Sequence, residues 1–585
     1  MRRVSETVAS DETGNSKSGS SLEVLKQLVN HEPDRHPLVI ALVAPLGTRT
    51  DTLLDQLRDT LRSFKYDLNL VTLSELLDEI PCAPWEQLPA RDHAGYYESR
   101  MGAGDTLRER TGSGATLAGL AIGKIADHRR SDEAQPATAY VLRSLKHPDE
   151  AELLKHIYGD AFWLLALVSD ADERREDFAE QLSAAGATFD DRRLEADVLI
   201  ARDENDESAA NGQHVGSVFK RADYYLPIRR GFDCRDDVER FLNGVFGKPF
   251  MTPFELEEAM RLSFAASLRS ASAGRQVGAT LIPVAGSVYV TGTNEVPKPG
   301  GGQYWAGDEP DHRDFQSGYD PNPLWTSRML QEFFDRLSDS DWLRDDLRGQ
   351  SGSELLQRAR QPEGNKRALL SGTRAESIIE FTRCLHAEQA AILNAAMQGI
   401  STRRSVLVTT TFPCHECAKF IVGAGVRAVV YVEPYPKSLV RQLYRDLIDA
   451  KAPMPSNTDL QALGTVDTTK VPFIPFVGFA PHRYDEVFRA GERKQGARVA
   501  EFDRAKACPR SEGWSEAAIG TRETKAATAA MRLVAETFTA EASPTSERTT
   551  VAAAPNSRAQ PRRKKADLEA ARIKTLPLAE GESTA

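Results

Sequence analysis

His386, Glu388, Cys414 and Cys417 are the residues of this chain whose types and spacing could do chemistry together, standing in His386-Ala387-Glu388 and Pro413-Cys414-His415-Glu416-Cys417. One imidazole and two thiolates make three zinc ligands. Three ligands leave the fourth tetrahedral position to water, whose pKa zinc lowers to about 7. The C-x-x-C spacing at a helix start brings both sulfurs to one side, and the helix N-terminus favours their anionic form. Glu388 is placed to face that water rather than the metal, and is expected to carry its proton. Addition of water to C4 of a cytosine-type ring, with loss of ammonia, needs these two functions together. A structural zinc site, with His415 as a fourth ligand, is the competing expectation. Neighbours such as Cys414 and His415 point apart on a helix, and a structural site has no use for Glu388.

The elements around these residues follow from periodicity and turn chemistry. Thr252-Pro-Phe-Glu255 reads as a capping box, and Leu256, Met260, Phe264 and Leu268 recur on one helical face after it. VGATLIPV and VYVTGTNEVP read as a hairpin with its turn at Ala285 to Ser287. LHAEQAAILNAAMQG from Leu385 reads as a helix ended by Gly399, SVLVTT at 405 to 410 as a strand, and the cysteines open a further helix. Asn294, at the end of the second hairpin strand, is either a contact to a substrate sugar or a turn former. An insertion from about Lys298 to Ala375, opening with GGGQYW, separates it from His386; a lid over the site, a linker and a subunit contact are all open.

The first half reads differently. LVIALV at 38 to 43 is an apolar run of strand length, followed by a loop and an amphipathic helix from Asp51 to Phe64. AYVLRSL from Ala139, FWLLALV from Phe162 and ADVLIAR from Ala196 read as further buried parallel strands, separated by helical stretches such as HPDEAELLKHIYG. The loop has the place of a phosphate-binding loop, and Ala44, Gly47, Thr48, Arg49 and Thr50 are its candidate residues. Its chemistry is incomplete: Ala44 stands for the first glycine, and Arg49, Thr50 and Asp51 replace G-K-[ST]. A structural relic and a working site are both open. Arg174 and Arg175 are either phosphate clamps or a solvated helix start.

With 585 residues the chain exceeds one core. We expect an unstructured segment 1–30, a parallel-sheet domain 31–247, a second α/β domain 248–505 and an unstructured tail 520–585. The net charge of -11 disfavours broad capture of nucleic acid. No apolar run is long enough to span a membrane, so a cytoplasmic location is expected. Six cysteines suit a metal site and free thiols, Cys82, Cys234, Cys384 and Cys508, better than a disulfide framework.

H-x-E with P-C-x-x-C is the signature of zinc nucleobase deaminases, matched here at all five positions. With TGTNEVP, LHAEQAAILNA, PCHECAKFIVGAGVRAVVYVEPYPKS and FVGFAPHRYDEVFRAGERK in order, the second half resembles the deoxycytidylate deaminases. The whole, over roughly residues 35 to 500, resembles the bacterial anti-phage dCTP deaminases. That resemblance implies a P-loop-kinase-like parallel-sheet domain followed by a cytidine-deaminase-like α/β/α domain. It also implies zinc as cofactor, free deoxycytidine nucleotides as substrates, and depletion of the cytosine deoxynucleotide pool during phage infection. It makes Asn294 a substrate contact and the first domain a regulator, answering to an inhibitory RNA or a phage-derived trigger, in a homo-oligomer. The incomplete phosphate loop puts nucleotide control in doubt and leaves the zinc chemistry untouched. Two other readings remain: a nucleic-acid editing enzyme, which would need a basic, aromatic-lined channel, and a housekeeping dCMP deaminase of pyrimidine synthesis.

Overall fold

LVIALV is buried along its whole length as strand β1 (Leu38–Val43), as an apolar run without polar alternation requires. The computed structural model describes residues 35–539 except 82, 86, 91–92, 94, 132–136, 183–188, 205–211, 232, 284–287, 341, 364–366, 436–437, 451–462, 464–468, 492 and 511–513. The expected segment 1–30, the hairpin turn at 285–287, Cys82 and the tail beyond 539 lie outside the described residues.

Around β1 stand β2 (Asp67–Thr72), β3 (Thr138–Arg143), β4 (Phe162–Ser169) and β5 (Tyr224–Ile228), parallel in the order β5-β4-β1-β3-β2. The helices Asp51–Ser63 and Arg235–Val245 pack one face through Leu57, Leu61, Val238 and Phe241. The helices Tyr96–Thr111, Thr116–Arg130 and Pro148–Tyr158 cover the other through Leu107, Ile122 and Leu154. The chain leaves the neighbours β1 and β3 toward opposite faces, so a crevice opens beyond their ends, lined by residues 44–48 and 143–146 among others.

The second sheet holds β6 (Gly278–Ile282), β7 (Val290–Thr293), β8 (Val406–Thr411), β9 (Ala428–Glu433), β10 (Ile448–Asp449) and β11 (Val471–Pro475), in the order β10-β11-β9-β8-β6-β7. β6 and β7 form the expected antiparallel hairpin, β6 pairs β8 antiparallel, and β8, β9 and β11 run parallel. Alternation divides its faces. Thr280, Val408 and Val430 turn toward the helix Glu255–Ser267, while Leu281, Leu407 and Val429 turn toward the helices that carry the site.

The halves are interlocked. Two residues after β11 the chain enters β12 (Gly478–Phe479), which pairs antiparallel with β5 at the edge of the first sheet. Phe479 is buried among Trp163, Tyr224, Phe241 and Phe488. Arg483 then reaches under the sheet edge: Nε donates to Asp223 at 2.7 Å, Nη2 to the Phe162 carbonyl at 2.7 Å and Nη1 to Glu486 at 2.6 Å. Burial opposes ionisation of Asp223, but the His482 and Arg483 partners outweigh it and hold the carboxyl at about 2.

Three expectations are corrected. ADVLIAR is helix, within Phe189–Glu204, because Ala196, Leu199 and Asp203 share a buried helical face while Val198 and Leu194 are exposed. The helix after residue 252 begins at Glu255, since the Glu257 carboxylate, not a Thr252 cap, holds the Phe254 N–H at 2.7 Å. Its buried face is Leu256, Met260, Ser263 and Ser267, with Leu268 exposed beyond its end. The tail expected to be unstructured from 520 instead forms a helix, Glu516–Thr539. Ala527, Ala530 and Val534 are buried there, and Ala530 lies where a side chain at Gly119 would stand.

Candidate active site

Cys414 ends the loop that leaves β8 and caps the helix His415–Gly423, its sulfur accepting the Cys417 N–H at 3.4 Å. His386 caps the helix Ala387–Met397, its N–H held by the Gln389 side chain at 3.0 Å. Two positive helix ends therefore converge on one point, which favours thiolate over thiol. Pro413 directly precedes the cap.

His386 Nδ1 lies 3.2 Å from Cys414 Sγ and 3.3 Å from Cys417 Sγ, and the two sulfurs are 3.6 Å apart. A tetrahedral zinc requires separations of about 3.5 Å between nitrogen and sulfur and about 3.8 Å between sulfurs. The three donors stand close to that geometry before any ion is considered. Hydrogen bonding from the Cys417 thiol, with the His386 ring beside it, holds Cys414 down at about 4, while burial pushes Cys417 well up. His415 does not join: its ring turns toward Glu380, 3.9 Å away. Among the described residues, this cluster of candidate ligands has three members.

Glu388 is 4% exposed, and its Oε2 lies 3.3 Å from Cys417 Sγ. Burial pushes its carboxyl up, and the neighbouring Cys414 charge adds to this. Glu388 is the second residue of the helix that His386 caps, which brings its carboxylate beside the three donors. Cys384 stays out of the cluster, its thiol 3.4 Å from Asp314 and pushed up to about 12 by burial and that carboxylate.

Gly292 in β7 is a positioning residue that spacing did not reveal. A side-chain carbon there would meet the Ala387 carbonyl and the Ala391 N–H at 2.3 Å each. Small residues on both sides, Gly292 against Ala387, Ala390 and Ala391, let the helix that carries His386 and Glu388 lie directly on the sheet. Gly292→Ala is expected to cost about 1–3 kcal/mol in denaturant unfolding. It should also lower turnover by about 10²-fold through displacement of that helix. Wild-type values for both would refute the close-packing argument.

Asn294 sits at the end of β7 with both ends of its amide engaged: Oδ1 accepts the Val277 N–H at 2.7 Å and Nδ2 donates to the Arg275 carbonyl at 2.7 Å. It fixes the segment that presents Arg275, whose guanidinium stands 5.6 Å from the Tyr435 ring centroid at the edge of the cluster. Neither Arg275 nor Tyr435 stood out in the sequence.

The phosphate-loop candidates Ala44, Gly47, Thr48 and Thr50 line the crevice of the first sheet. Gly47 turns the chain with a φ of 88°, the Leu46 N–H donates to Asp203 at 2.8 Å, and Lys146 bridges Asp203 at 2.6 Å and the Ala44 carbonyl at 3.2 Å. Arg49 forms a two-pronged pair with Asp177 at 2.7 and 2.6 Å, and Thr48 meets Ser169 at 3.1 Å. Thr50 caps the following helix without a side-chain hydrogen bond. Arg174 and Arg175 pair with Glu204 and Asp197. Carboxylates of the chain itself thus occupy these cations.

Residues 254–433 match the family model described as the cytidine and deoxycytidylate deaminase zinc-binding region. This match and the three-donor cluster make zinc the cofactor of this region. The chain is 43% identical over 54 residues to the deoxycytidylate deaminase of Enterobacteria phage T4, which covers 9% of this chain and 28% of that protein. It is 40% identical over 53 residues to ComE operon protein 2 of Bacillus subtilis, covering 9% and 28%. The chain therefore spans under a third of the length of these curated relatives. The apo crystal structure of the dCMP deaminase from cyanophage S-TIM5 is similar over 38% of this chain and 100% of that one, at 19% identity and a TM-score of 0.18. No helix among the described residues is long and apolar enough to cross a membrane.

Proposed function

We propose that the chain is a zinc-dependent hydrolytic deaminase converting dCTP and dCMP to dUTP and dUMP with release of ammonia. The observation that carries this reading is the buried Glu388 carboxylate set against a three-donor cluster of His386, Cys414 and Cys417. Zinc, when bound, supplies the Lewis acid that makes water nucleophilic at neutral pH. Glu388 accepts a proton from the attacking water, delivers it to ring N3, and passes a second proton to the departing amine. Burial of Glu388 keeps bulk water from competing for that proton. Arg275, held by Asn294 beside Tyr435, binds the phosphate at the rim.

The resemblance to the anti-phage dCTP deaminases supports placing this turnover in phage defence, by depletion of the cytosine deoxynucleotide pool. It also supports a regulatory role for the first half. In the crevice beyond β1 and β3, Thr50, Glu150 and Gln213 each keep a buried side-chain oxygen without a protein partner, as in a site built for a ligand. The named deoxycytidylate deaminase relatives favour a second reading, a housekeeping dCMP deaminase.

Ammonia release from dCTP, dCMP, CTP, deoxycytidine and a cytosine oligonucleotide, measured side by side on the zinc-loaded full chain, tests these readings. Turnover of dCTP and dCMP is expected; dCMP alone would favour the housekeeping reading, and preference for the oligonucleotide would overturn both.

A further inference from the structure

The rim of the zinc site contains a residue from the other half of the chain. Lys220, which follows the short helix Val215–Phe219 of the first half, places its ammonium 3.2 Å from the Glu433 carboxylate at the end of β9. The same carboxylate oxygen lies 3.6 Å from Arg275. Glu433 is anchored at the site by its backbone, whose carbonyl accepts the Phe412 N–H at 2.7 Å, two residues before Cys414. One carboxylate is thus shared between two cations from different halves.

We propose that Lys220 is a positioning residue for substrate phosphate: by neutralising Glu433 it leaves the Arg275 guanidinium free to bind the anion. Two cations thus face one carboxylate there. Without Lys220 the carboxylate and Arg275 cancel, and Arg275 is drawn toward Glu433 instead of toward the cleft. The first half therefore acts on the selectivity of the second through a charge, besides any ligand it takes in its own crevice. This inference rests on the proposed deamination of deoxycytidine nucleotides.

The experiment compares Lys220→Met, Glu433→Gln and the double variant with the wild type, all as zinc-loaded full chains, on dCMP, dCTP and deoxycytidine. Lys220→Met keeps the stem and removes the charge. KM for the two nucleotides is expected to rise about three- to five-fold with kcat held, as for a partly exposed ion pair. KM for deoxycytidine, which has no phosphate, is expected to stay constant, and the nucleotide effect to shrink at high salt. Because Lys220 acts through Glu433, the double variant is expected to regain the nucleotide KM of Glu433→Gln alone. An equal change for nucleoside and nucleotide, an unchanged nucleotide KM, or failure of Glu433→Gln to rescue would overturn the proposal. If the wild type turns over none of the three compounds, the reading of the site fails first, whereas turnover without the KM pattern removes the Lys220 inference alone.

Discussion

Glu388→Gln is expected to lower deamination by about 10²–10⁴-fold while the protein keeps its zinc. The substitution preserves the volume of a side chain that is 4% exposed and packed against Cys417, so the fold has little reason to change. What disappears is the carboxylate that the proposed mechanism uses to move protons between water, ring nitrogen and amine. Metal analysis and a substrate-saturation assay on the same preparation separate the two effects. Loss of zinc along with activity would make Glu388 a structural support, and near-normal turnover would remove it from the mechanism.

Arg483→Met is expected to destabilise the protein by about 3 kcal/mol in denaturant unfolding, since it removes the buried one of the two cations that face a buried carboxylate. Asp223, buried in the joint between β4 and β5, is then left with the half-exposed His482 ring at 2.9 Å and the Leu164 N–H at 2.7 Å. The double variant with Asp223→Asn should recover part of the loss, because two neutral groups no longer demand a counter-charge. The same pair predicts an acid response. The Asp223 carboxyl is held at about 2 in the folded protein, against about 3.9 in an unfolded chain. A depressed carboxylate contributes stability that is present above the unfolded value and lost as pH falls through the folded one. About 2–3 kcal/mol should therefore disappear between about pH 4 and pH 2, and not in the Asp223→Asn variant. A cost within about 1 kcal/mol for Arg483→Met would mean that β12 and the segment after it are not a tie between the halves.

That tie bears on any attempt to study the second half alone. Removal of residues 1–247 strips β5, Trp163 and Asp223 from Phe479 and Arg483, so the remaining chain loses a buried edge as well as a neighbour. Loss of activity in such a deletion would say nothing about regulation. Point changes in the crevice, at Gln213 or Lys146, keep the joint intact and are the better probes.

The zinc cluster was legible because its chemistry is local. Two pairs of residues two and three positions apart, each at a helix start, bring the three donors and the carboxylate together whatever else surrounds them. The apolar runs of β1, β3 and β4 were legible for the same reason, whereas ADVLIAR misled because a short apolar run has no period to separate strand from helix. β2 and β5 lacked a clean run: Asp67–Thr72 is a partly exposed edge, and Tyr224–Ile228 is aromatic and contains a proline. Contacts of long sequence separation stayed hidden. Arg275 becomes interesting only beside Tyr435, Lys220 only beside Glu433, and the helix Glu516–Thr539 finds its partner at Gly119. The phosphate-loop candidates show the reverse case, a legible pattern whose one cation, Arg49, pairs with Asp177.

The most direct test of the account is turnover of dCMP by the zinc-loaded chain in water enriched in heavy oxygen. Hydrolytic deamination predicts dUMP carrying one heavy oxygen at C4 and one ammonia for each product formed. A product without the label, or no product at all from dCMP and dCTP alike, would contradict it.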